Sequence, residues 1–232
     1  MKIDGIELLN AHQDMVAKSI LSGSWENYSR VVWKQLVSNL PAEAVVWDVG
    51  AYTGYYAMVA AKTRPDINVV AFEPHPTILN ALVENIQHNQ ITNIESLNLA
   101  LGRDMGFTNI NVTNSIKLPS GSSLIDIGKP IVDCIPVMVV NGDSVPVDSE
   151  AIPNLIKIDV EEYELEVLEG MHNILTHSKP TLLIEILKED KVTAVQDILQ
   201  PLGYTIKRIN ENGANFSTPF SPSDRNYLCI PD

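Results

Sequence analysis

The sequence predicts an α/β protein with a doubly wound, mostly parallel seven-stranded sheet of the Rossmann-like kind, preceded by N-terminal helices and carrying an inserted cap. Short apolar runs alternate with helical patterns, which is typical of such a sheet. A glycine-containing turn follows the first apolar run. The chain has 232 residues, of which 45% are hydrophobic, so it is long enough to bury one full core. We therefore expect a single domain over residues 1–232.

The sequence predicts helices in the first part of the chain, and the first strand of the sheet is expected only after Pro41. Residues 1–40 are expected to form an N-terminal helical cap, because Val32 and Leu36 recur at helical spacing and Pro41 ends the pattern. The strands that follow are short β-branched and apolar runs, as in strands covered on both faces. They are expected over Ala44–Val49, Asn68–Phe72 and Ile94–Leu101, with helices over Tyr55–Lys62 and Thr77–Asn89. Thr77 is expected to cap the second of these helices.

A stretch rich in glycine and proline over residues 102–152 interrupts the alternation. Within it, Thr108–Val112 and Ile135–Val140 resemble strands and predict a hairpin or cap inserted in the sheet. Connections of this length usually have a function or a structure of their own. We therefore expect the insertion to contribute to a substrate site, between the two halves of a Rossmann-like core at residues 41–101 and 153–232.

The alternation resumes after the insertion. Strands are expected over Leu155–Val160, Pro180–Ile186, Tyr204–Ile209 and Asn226–Ile230, with helices over Tyr163–Thr176 and Asp190–Leu199. The last two strands are close enough in sequence to pair antiparallel. Ligands of such sheets bind beyond the carboxyl ends of the strands, so the polar residues at those ends are the candidate site residues.

Charge and composition exclude several classes of protein. With 16 basic and 29 acidic residues the net charge is -13, which repels nucleic acid and anionic membranes. No apolar run has the length of a membrane span, and the N-terminus lacks a signal-peptide core. Cys134 and Cys229 match no metal spacing. We expect a cytoplasmic protein without nucleic-acid or membrane partners, and a homo-oligomer remains one alternative.

The residues after the first two strands indicate a nucleoside-type ligand. Asp48 lies close to the end of the first strand, and Gly50 and Gly54 bracket the turn that follows. The spacing is G-x-x-x-G, and Tyr52 stands where a dinucleotide site needs its middle glycine, so a pyrophosphate is disfavoured. Glu73 directly follows the second strand, where an acidic side chain can accept hydrogen bonds from ribose hydroxyls. A tight strand–helix turn without a ligand is the alternative.

With these segments the chain resembles the FkbM-type branch of the class I S-adenosylmethionine (SAM) dependent methyltransferases. The resemblance runs from about Trp25 to Ile186, most of the chain. Its segments are WDVGAYTGYYAMVAA, VVAFEPHP, and NLIKIDVEEYELEVLEGM followed by KPTLLIEI. Glu162 departs from the family pattern, which usually has glycine at that position beside Glu161.

The resemblance implies SAM as the cofactor. Asp48, or the turn from Gly50 to Gly54, would hold the methionine moiety. Glu73 would bind the ribose, and Ala100 would lie near the adenine through its backbone. Glu26 would close over the cofactor, although a helix-surface acid is an equal alternative. The implied cofactor-binding residues are Glu26, Asp48, Gly50, Ala51, Tyr52, Thr53, Gly54, Tyr55, Glu73, Pro74 and Ala100.

Methyl transfer to an alcohol requires a nucleophile in line with the methyl group and a base or metal to take its proton. Asp159 is the first candidate catalytic residue, for substrate orientation or proton acceptance, and Glu161 is the second. Lys157 and Glu185 are candidate substrate-binding residues, although Lys157 is expected mainly to pair with a neighbouring carboxylate. A less favoured alternative is that Asp159 and Glu185 hold Mg²⁺, since the sequence offers no dense ligand cluster.

The function implied by the resemblance is SAM-dependent O-methylation of a hydroxyl on a small molecule, either a sugar or a natural product. A non-catalytic SAM-binding partner protein is one alternative. A nicotinamide-dependent oxidoreductase is a less favoured one, because the middle glycine of the dinucleotide motif is missing.

Overall fold

A computed structural model of the protein describes residues 2–9, 14–145, 152–211 and 224–232. The parts of the predicted N-terminal cap at residues 10–13 and of the predicted insertion at residues 146–151 lie outside the described residues.

The N-terminal segment is a short hairpin followed by two helices. These are β1 (Lys2–Ile3), β2 (Ile6–Glu7), α1 (Met15–Leu21) and α2 (Asn27–Ser38). The expectation that residues 1–40 are all helical was therefore wrong for the first residues, which form a hairpin. Asp4 and Gly5 adopt positive φ angles of 52° and 79°, the conformation of a two-residue hairpin turn rather than of a helix.

The remaining strands and helices follow in chain order. They are β3 (Val45–Val49), α3 (Tyr55–Thr63), β4 (Asn68–Phe72), α4 (Pro76–His88), β5 (Ile94–Leu97), β6 (Ala100–Gly102), β7 (Gly106–Val112), β8 (Asp133–Asn141), β9 (Leu155–Ile158), α5 (Glu164–Glu169), β10 (Thr181–Glu185), α6 (Glu189–Leu199), β11 (Tyr204–Arg208) and β12 (Asn226–Pro231).

Seven of these strands form the central sheet, in the order β11-β12-β10-β9-β3-β4-β5. The five strands from β10 to β5 are parallel, and β12 is antiparallel to both of its neighbours. The predicted fold class and the antiparallel final pair are thus confirmed. The chain steps outward from β3 to β5 and returns on the other side of β3 at β9. The strand order therefore reverses between β3 and β9, which is where ligands bind in such sheets.

Apolar residues are buried on both faces of this sheet. Val46 of β3 packs in a cluster with residues of α2, α3 and α4, whereas Trp47 packs on the opposite face with residues of α5 and α6. Both side chains are fully buried. Strands covered on both faces read as continuous apolar runs, which is why the sequence located them well.

The predicted third strand, Ile94–Leu101, was wrong as one element. β5 ends at Leu97, and β6 leaves the central sheet to pair with β8 in a separate three-stranded sheet of order β6-β8-β7. The Asn98 side chain fixes this departure, since its amide donates to the carbonyls of Glu73 at 2.9 Å and Pro74 at 2.8 Å. β7 and β8 pair antiparallel, as expected for the strand-like stretches of the insertion.

Two predicted helices differ in their bounds. Thr77 does not cap α4, because His75 is the N-cap residue and its Nδ1 accepts from the Thr77 N–H at 3.2 Å. The predicted helix Tyr163–Thr176 is broken after Glu169, and a π-helical turn follows at Ile174–Ser178. The break lies at Gly170, which is packed so closely on β6 that an added Cβ would lie 2.0 Å from the Gly102 carbonyl oxygen.

The N-terminus of α2 is capped from the other end of the chain. Glu26 is the N-cap residue, but its side chain makes no capping hydrogen bond and its φ is 44°. Instead the Glu211 carboxylate accepts from the N–H groups of Tyr28 at 2.8 Å and Ser29 at 3.2 Å, and from the Ser29 hydroxyl. Because Glu211 satisfies the first turn of α2, the Glu26 side chain is turned away from the helix.

Replacing Glu211 with Ala should lower the free energy of unfolding by about 1–2 kcal/mol, since two helix N–H groups lose their acceptor. Denaturant unfolding measures this change. The matched control is Glu84→Ala on the exposed side of α4, which should stay within about 0.5 kcal/mol of the parent. Equal stability of the two variants would contradict the capping role.

Candidate active site

A cavity of about 590 Å³ lies at the reversal point of the sheet, beyond the carboxyl ends of β3, β4, β9 and β10. All but one of the sequence-predicted site residues line it. These are Glu26, Asp48, Gly50, Ala51, Tyr52, Thr53, Tyr55, Glu73, Pro74, Ala100, Lys157, Asp159, Glu161 and Glu185. The exception is Gly54, which lies against Leu82 of α4.

The turn after β3 passes unusually close to the end of β9. Gly50 has a φ of 81°, and an added Cβ would lie 1.9 Å from the carbonyl oxygen of Asp159. The N–H groups of Gly50 and Ala51 both donate to the Phe72 carbonyl, each at 3.0 Å. Glycine is therefore required at position 50 by backbone approach as well as by its left-handed conformation.

Asp48 and Glu73 are buried carboxyl groups held by backbone N–H donors. Asp48 accepts from Ala57 at 2.8 Å, and burial raises its pKa to about 7. Glu73 accepts from Tyr52 at 2.9 Å and His75 at 2.8 Å, and burial raises its pKa to about 8. Glu73 thus joins the loops after β3 and β4. A carboxylate offers about four acceptor positions, so two of them remain for a ligand.

Two predicted cofactor residues use their side chains to hold the N-terminal segment. The Thr53 hydroxyl donates to Asp14 at 2.9 Å, next to the start of α1. The Tyr55 hydroxyl contacts Asp4 and accepts from the Arg30 guanidinium at 2.7 Å. Their contribution to a ligand site is therefore through backbone and ring surface.

Lys157 supplies a buried positive charge to the floor of the cavity. Its side chain is fully buried, with Nζ 3.0 Å from the Asp159 carboxylate and 5.0 Å from the ring centroid of Tyr56. Burial opposes this charge, but the nearby carboxyl groups, Asp159 first among them, raise the pKa of Lys157. The expected pairing of Lys157 with a neighbouring carboxylate is therefore present.

Three carboxyl groups surround this ammonium group. Asp159 and Glu185 are hydrogen-bonded to each other. Burial would raise the pKa of Asp159, but Lys157 holds it below its usual range, whereas burial and the Asp159 charge raise the pKa of Glu185. Glu185 consequently stays protonated, and its hydroxyl donates a hydrogen bond to the ionised Asp159. The Tyr56 hydroxyl donates to Glu26, and burial raises the pKa of Glu26.

The residues after β9 form a strained lip at the cavity. Glu161 and Glu162 have consecutive positive φ angles of 52° and 75°. The Glu161 carbonyl accepts from the Ser123 hydroxyl at 2.6 Å, and Glu162 pairs with Lys188 at 2.6 Å. A positive φ explains why glycine suits position 162, and the ion pair shows how this chain holds a glutamate there. Burial, then the Asp159 charge, raises the pKa of Glu161 to about 7.

The arrangement does not fit the magnesium alternative well. Within the described ranges, no three His, Cys, Asp or Glu side chains are grouped to hold a metal ion. Asp159 contacts Lys157 and Glu185, and these contacts engage the oxygens that a divalent cation would need.

Several residues that line the cavity were not predicted from the sequence. They come from α1 and from the segments that follow β7 and precede β12, and include Met15, Val16, Thr113, Asn114, Lys129 and Arg225. The Ser- and Gly-rich run at residues 120–123 was the one local signal, since it marks a loop. No spacing rule connects such residues to the strand ends.

The fold is that of the class I, Rossmann-like methyltransferases. The FkbM methyltransferase domain matches residues 48–208, most of the chain. The chain belongs to the FkbM methyltransferase family, which confirms the resemblance drawn from its motifs.

Curated relatives agree with this assignment. The hexuronic acid methyltransferase AglP of Haloferax volcanii is 30% identical over 156 residues, which are 67% of this chain and 61% of AglP. The methyltransferase sdnD of Sordaria araneosa is 24% identical over 74% of this chain and 78% of its own length. The chain therefore spans less than two thirds of AglP.

Solved structures share the fold. The FkbM methyltransferase of Methylobacillus flagellatus matches with a TM-score of 0.55 and 16% identity, over 96% of this chain and 56% of that one. Precorrin-6y C5,15-methyltransferase of Geobacter metallireducens matches with a TM-score of 0.53 and 14% identity, over 87% of this chain and 86% of that one. In the part of the chain that the structure describes, no helix has the length and apolar character to cross a membrane.

Replacing Gly50 with Ala should abolish binding of S-adenosylhomocysteine, the demethylated form of SAM, because the new Cβ would force the turn away from Asp159. Calorimetric titration measures the affinity, and circular dichroism checks the fold. The control is Gly106→Ala, whose added Cβ meets nothing within 4 Å. Unchanged affinity in Gly50→Ala would show that the close approach is not needed for the site.

Proposed function

We propose that the protein transfers the methyl group of SAM to a hydroxyl of a small molecule, with a sugar as the favoured class of acceptor. One observation carries the proposal. Glu73, which can accept hydrogen bonds from ribose hydroxyls, and Glu161, whose pKa of about 7 suits proton acceptance, line the same cavity. The naming of AglP for a hexuronic acid supports a sugar acceptor. SAM supplies the electrophilic methyl group on its sulfonium.

The residues that follow β3 and β4 fit the cofactor-binding part of this proposal. Glu73 has two acceptor positions beyond its backbone contacts, which suits two ribose hydroxyls. The Gly50 turn donates its first N–H groups to the Phe72 carbonyl rather than presenting them to a phosphate. Asp48 and Glu26 would lie at the methionine end, and the backbone of Ala100 at the adenine end.

On the acceptor side, we assign proton acceptance to Glu161 and orientation to Asp159. Asp159 is engaged by Lys157 and Glu185, and its lowered pKa makes it a weak base. The pKa of Glu161 is raised to about 7, which is close to the value at which a general base works best near neutral pH. An acceptor hydroxyl would pass its proton to Glu161 as its oxygen bonds to the methyl carbon, while the bond between that carbon and the sulfur of SAM breaks and S-adenosylhomocysteine is the leaving group.

Calorimetric titration with SAM, S-adenosylhomocysteine and NAD tests the proposal. SAM and its product should bind saturably, and Glu73→Ala should weaken both by about tenfold or more, because the hydrogen bonds between the Glu73 carboxyl group and the ribose hydroxyls are lost. Glu84→Ala is the control. Binding of NAD alone would favour the oxidoreductase alternative. Tight SAM binding without transfer to any hydroxylated acceptor would favour the non-catalytic partner.

The rate of methyl transfer should rise with pH through about 7, because Glu161 accepts a proton only when it is ionised. Glu161→Gln should lower kcat by about 10²-fold or more and remove this pH dependence. A radiolabelled methyl-transfer assay across pH measures both effects. Glu95→Gln, on the exposed side of β5, should leave the profile unchanged. A Glu161→Gln variant with parental kcat would exclude Glu161 as the base.

A further inference from the structure

A loop of the insertion, residues 113–123, forms one wall of the cavity, and we call it the insertion loop. It is closed on itself by side-chain contacts: the Thr113 hydroxyl donates to the Gly121 carbonyl at 3.0 Å, and the Asn114 amide donates to the Ser120 carbonyl at 2.8 Å. Its base is paired by two backbone hydrogen bonds to β7. The loop therefore has a defined shape of its own.

The insertion loop is attached to both halves of the site. The Tyr52 hydroxyl, from the turn after β3, donates to the Leu118 carbonyl at 2.9 Å. At the other end, the Ser123 hydroxyl donates to the Glu161 carbonyl at 2.6 Å. These contacts fix the loop relative to the cofactor turn and to the proposed base.

The middle of the loop adjoins the Glu161 carboxyl group. Gly121 has a φ of 74°, and an added Cβ would lie 3.7 Å from Glu161 Oε1. The residues on either side of this approach, Ser120 and Ser122, also line the cavity. A molecule that places one hydroxyl at Glu161 would therefore contact the insertion loop with its remaining atoms.

Two oxygens of this wall are buried without a hydrogen-bond partner in the described parts of the chain. They are Asn114 Oδ1 and Ser122 Oγ. Buried polar atoms are rarely left unpaired, and each costs about 1–3 kcal/mol when they are. Among the described residues with such an atom, these two are the ones that line the cavity. A ligand that draws the two side chains towards the cavity and donates hydrogen bonds to these oxygens would remove the cost.

We propose that Asn114 and Ser122 form an acceptor subsite for the non-reacting hydroxyls of a polyhydroxylated ring, of the saccharide class. The proposal rests on the proposed function, because it places the reacting hydroxyl at Glu161. Asn114 Oδ1 only accepts hydrogen bonds, so it requires a donor such as a hydroxyl and disfavours a carboxylate. A phenolic acceptor with a single hydroxyl would leave both oxygens unpaired, because that hydroxyl is the reacting one.

Binding to the full chain saturated with S-adenosylhomocysteine tests the proposal. The probes are the methyl glycosides of glucose, mannose and galactose, with phenol as the comparison that has no second hydroxyl, each titrated calorimetrically. At least one glycoside should bind saturably. Asn114→Ala and Ser122→Ala should each weaken that binding about tenfold, while the affinity for S-adenosylhomocysteine changes less than twofold.

The matched controls are Asn109→Ala and Ser115→Ala, since both side chains are exposed and neither residue lines the cavity. They should leave glycoside binding unchanged. Unaltered glycoside affinity in both subsite variants would overturn the proposal, as would binding of phenol alone or of no probe to the loaded protein. Failure to bind S-adenosylhomocysteine at all would instead overturn the proposed function, so the two failures are distinguishable.

Discussion

The buried ammonium group of Lys157 is the interaction on which the site depends. Three carboxyl groups that are far apart in sequence, those of Glu26, Asp159 and Glu185, surround it. Burying carboxylates without an opposite charge would cost several kcal/mol each. Since Glu26 precedes α2, Asp159 follows β9 and Glu185 is the last residue of β10, Lys157 joins the N-terminal helices to the carboxyl ends of the central strands.

The charge of Lys157 also determines which of the neighbouring carboxyl groups is ionised. Lys157 keeps Asp159 ionised, and Asp159 in turn keeps the proton on Glu185. Both groups are then engaged with each other and suit orientation better than proton transfer. Glu161 lies outside these contacts, on a strained lip that the insertion loop holds through Ser123. Strain of this kind is found at functional sites, where surrounding contacts over-determine the backbone.

What the sequence could predict depended on how local the controlling contacts were. Buried parallel strands and the Gly50 turn were found because each leaves a pattern within a few residues. The Asp4-Gly5 turn carried a local signal too, since Asp-Gly is typical of hairpins, yet helical periodicity further along outweighed it.

Other features had no local signal. The end of β5 is set by the Asn98 contacts with the loop after β4, and the first turn of α2 is satisfied by Glu211 from beyond β11. The insertion loop likewise reaches the site through Leu118 and Ser123. These contacts join residues that are distant in sequence. Rules based on the spacing of nearby residues do not predict such contacts.

The role of Lys157 is tested most directly by the free energy of unfolding of Lys157→Met, measured against pH. Removing the cation should cost about 3–5 kcal/mol at neutral pH, because buried carboxylates lose their partner. Without the cation, the pKa of Asp159 in the folded state rises above its unfolded value, so stability is lost as pH rises and regained as pH falls. We therefore predict a deficit that shrinks towards acid pH. A deficit below about 1 kcal/mol that does not vary with pH would contradict the organising role of this charge.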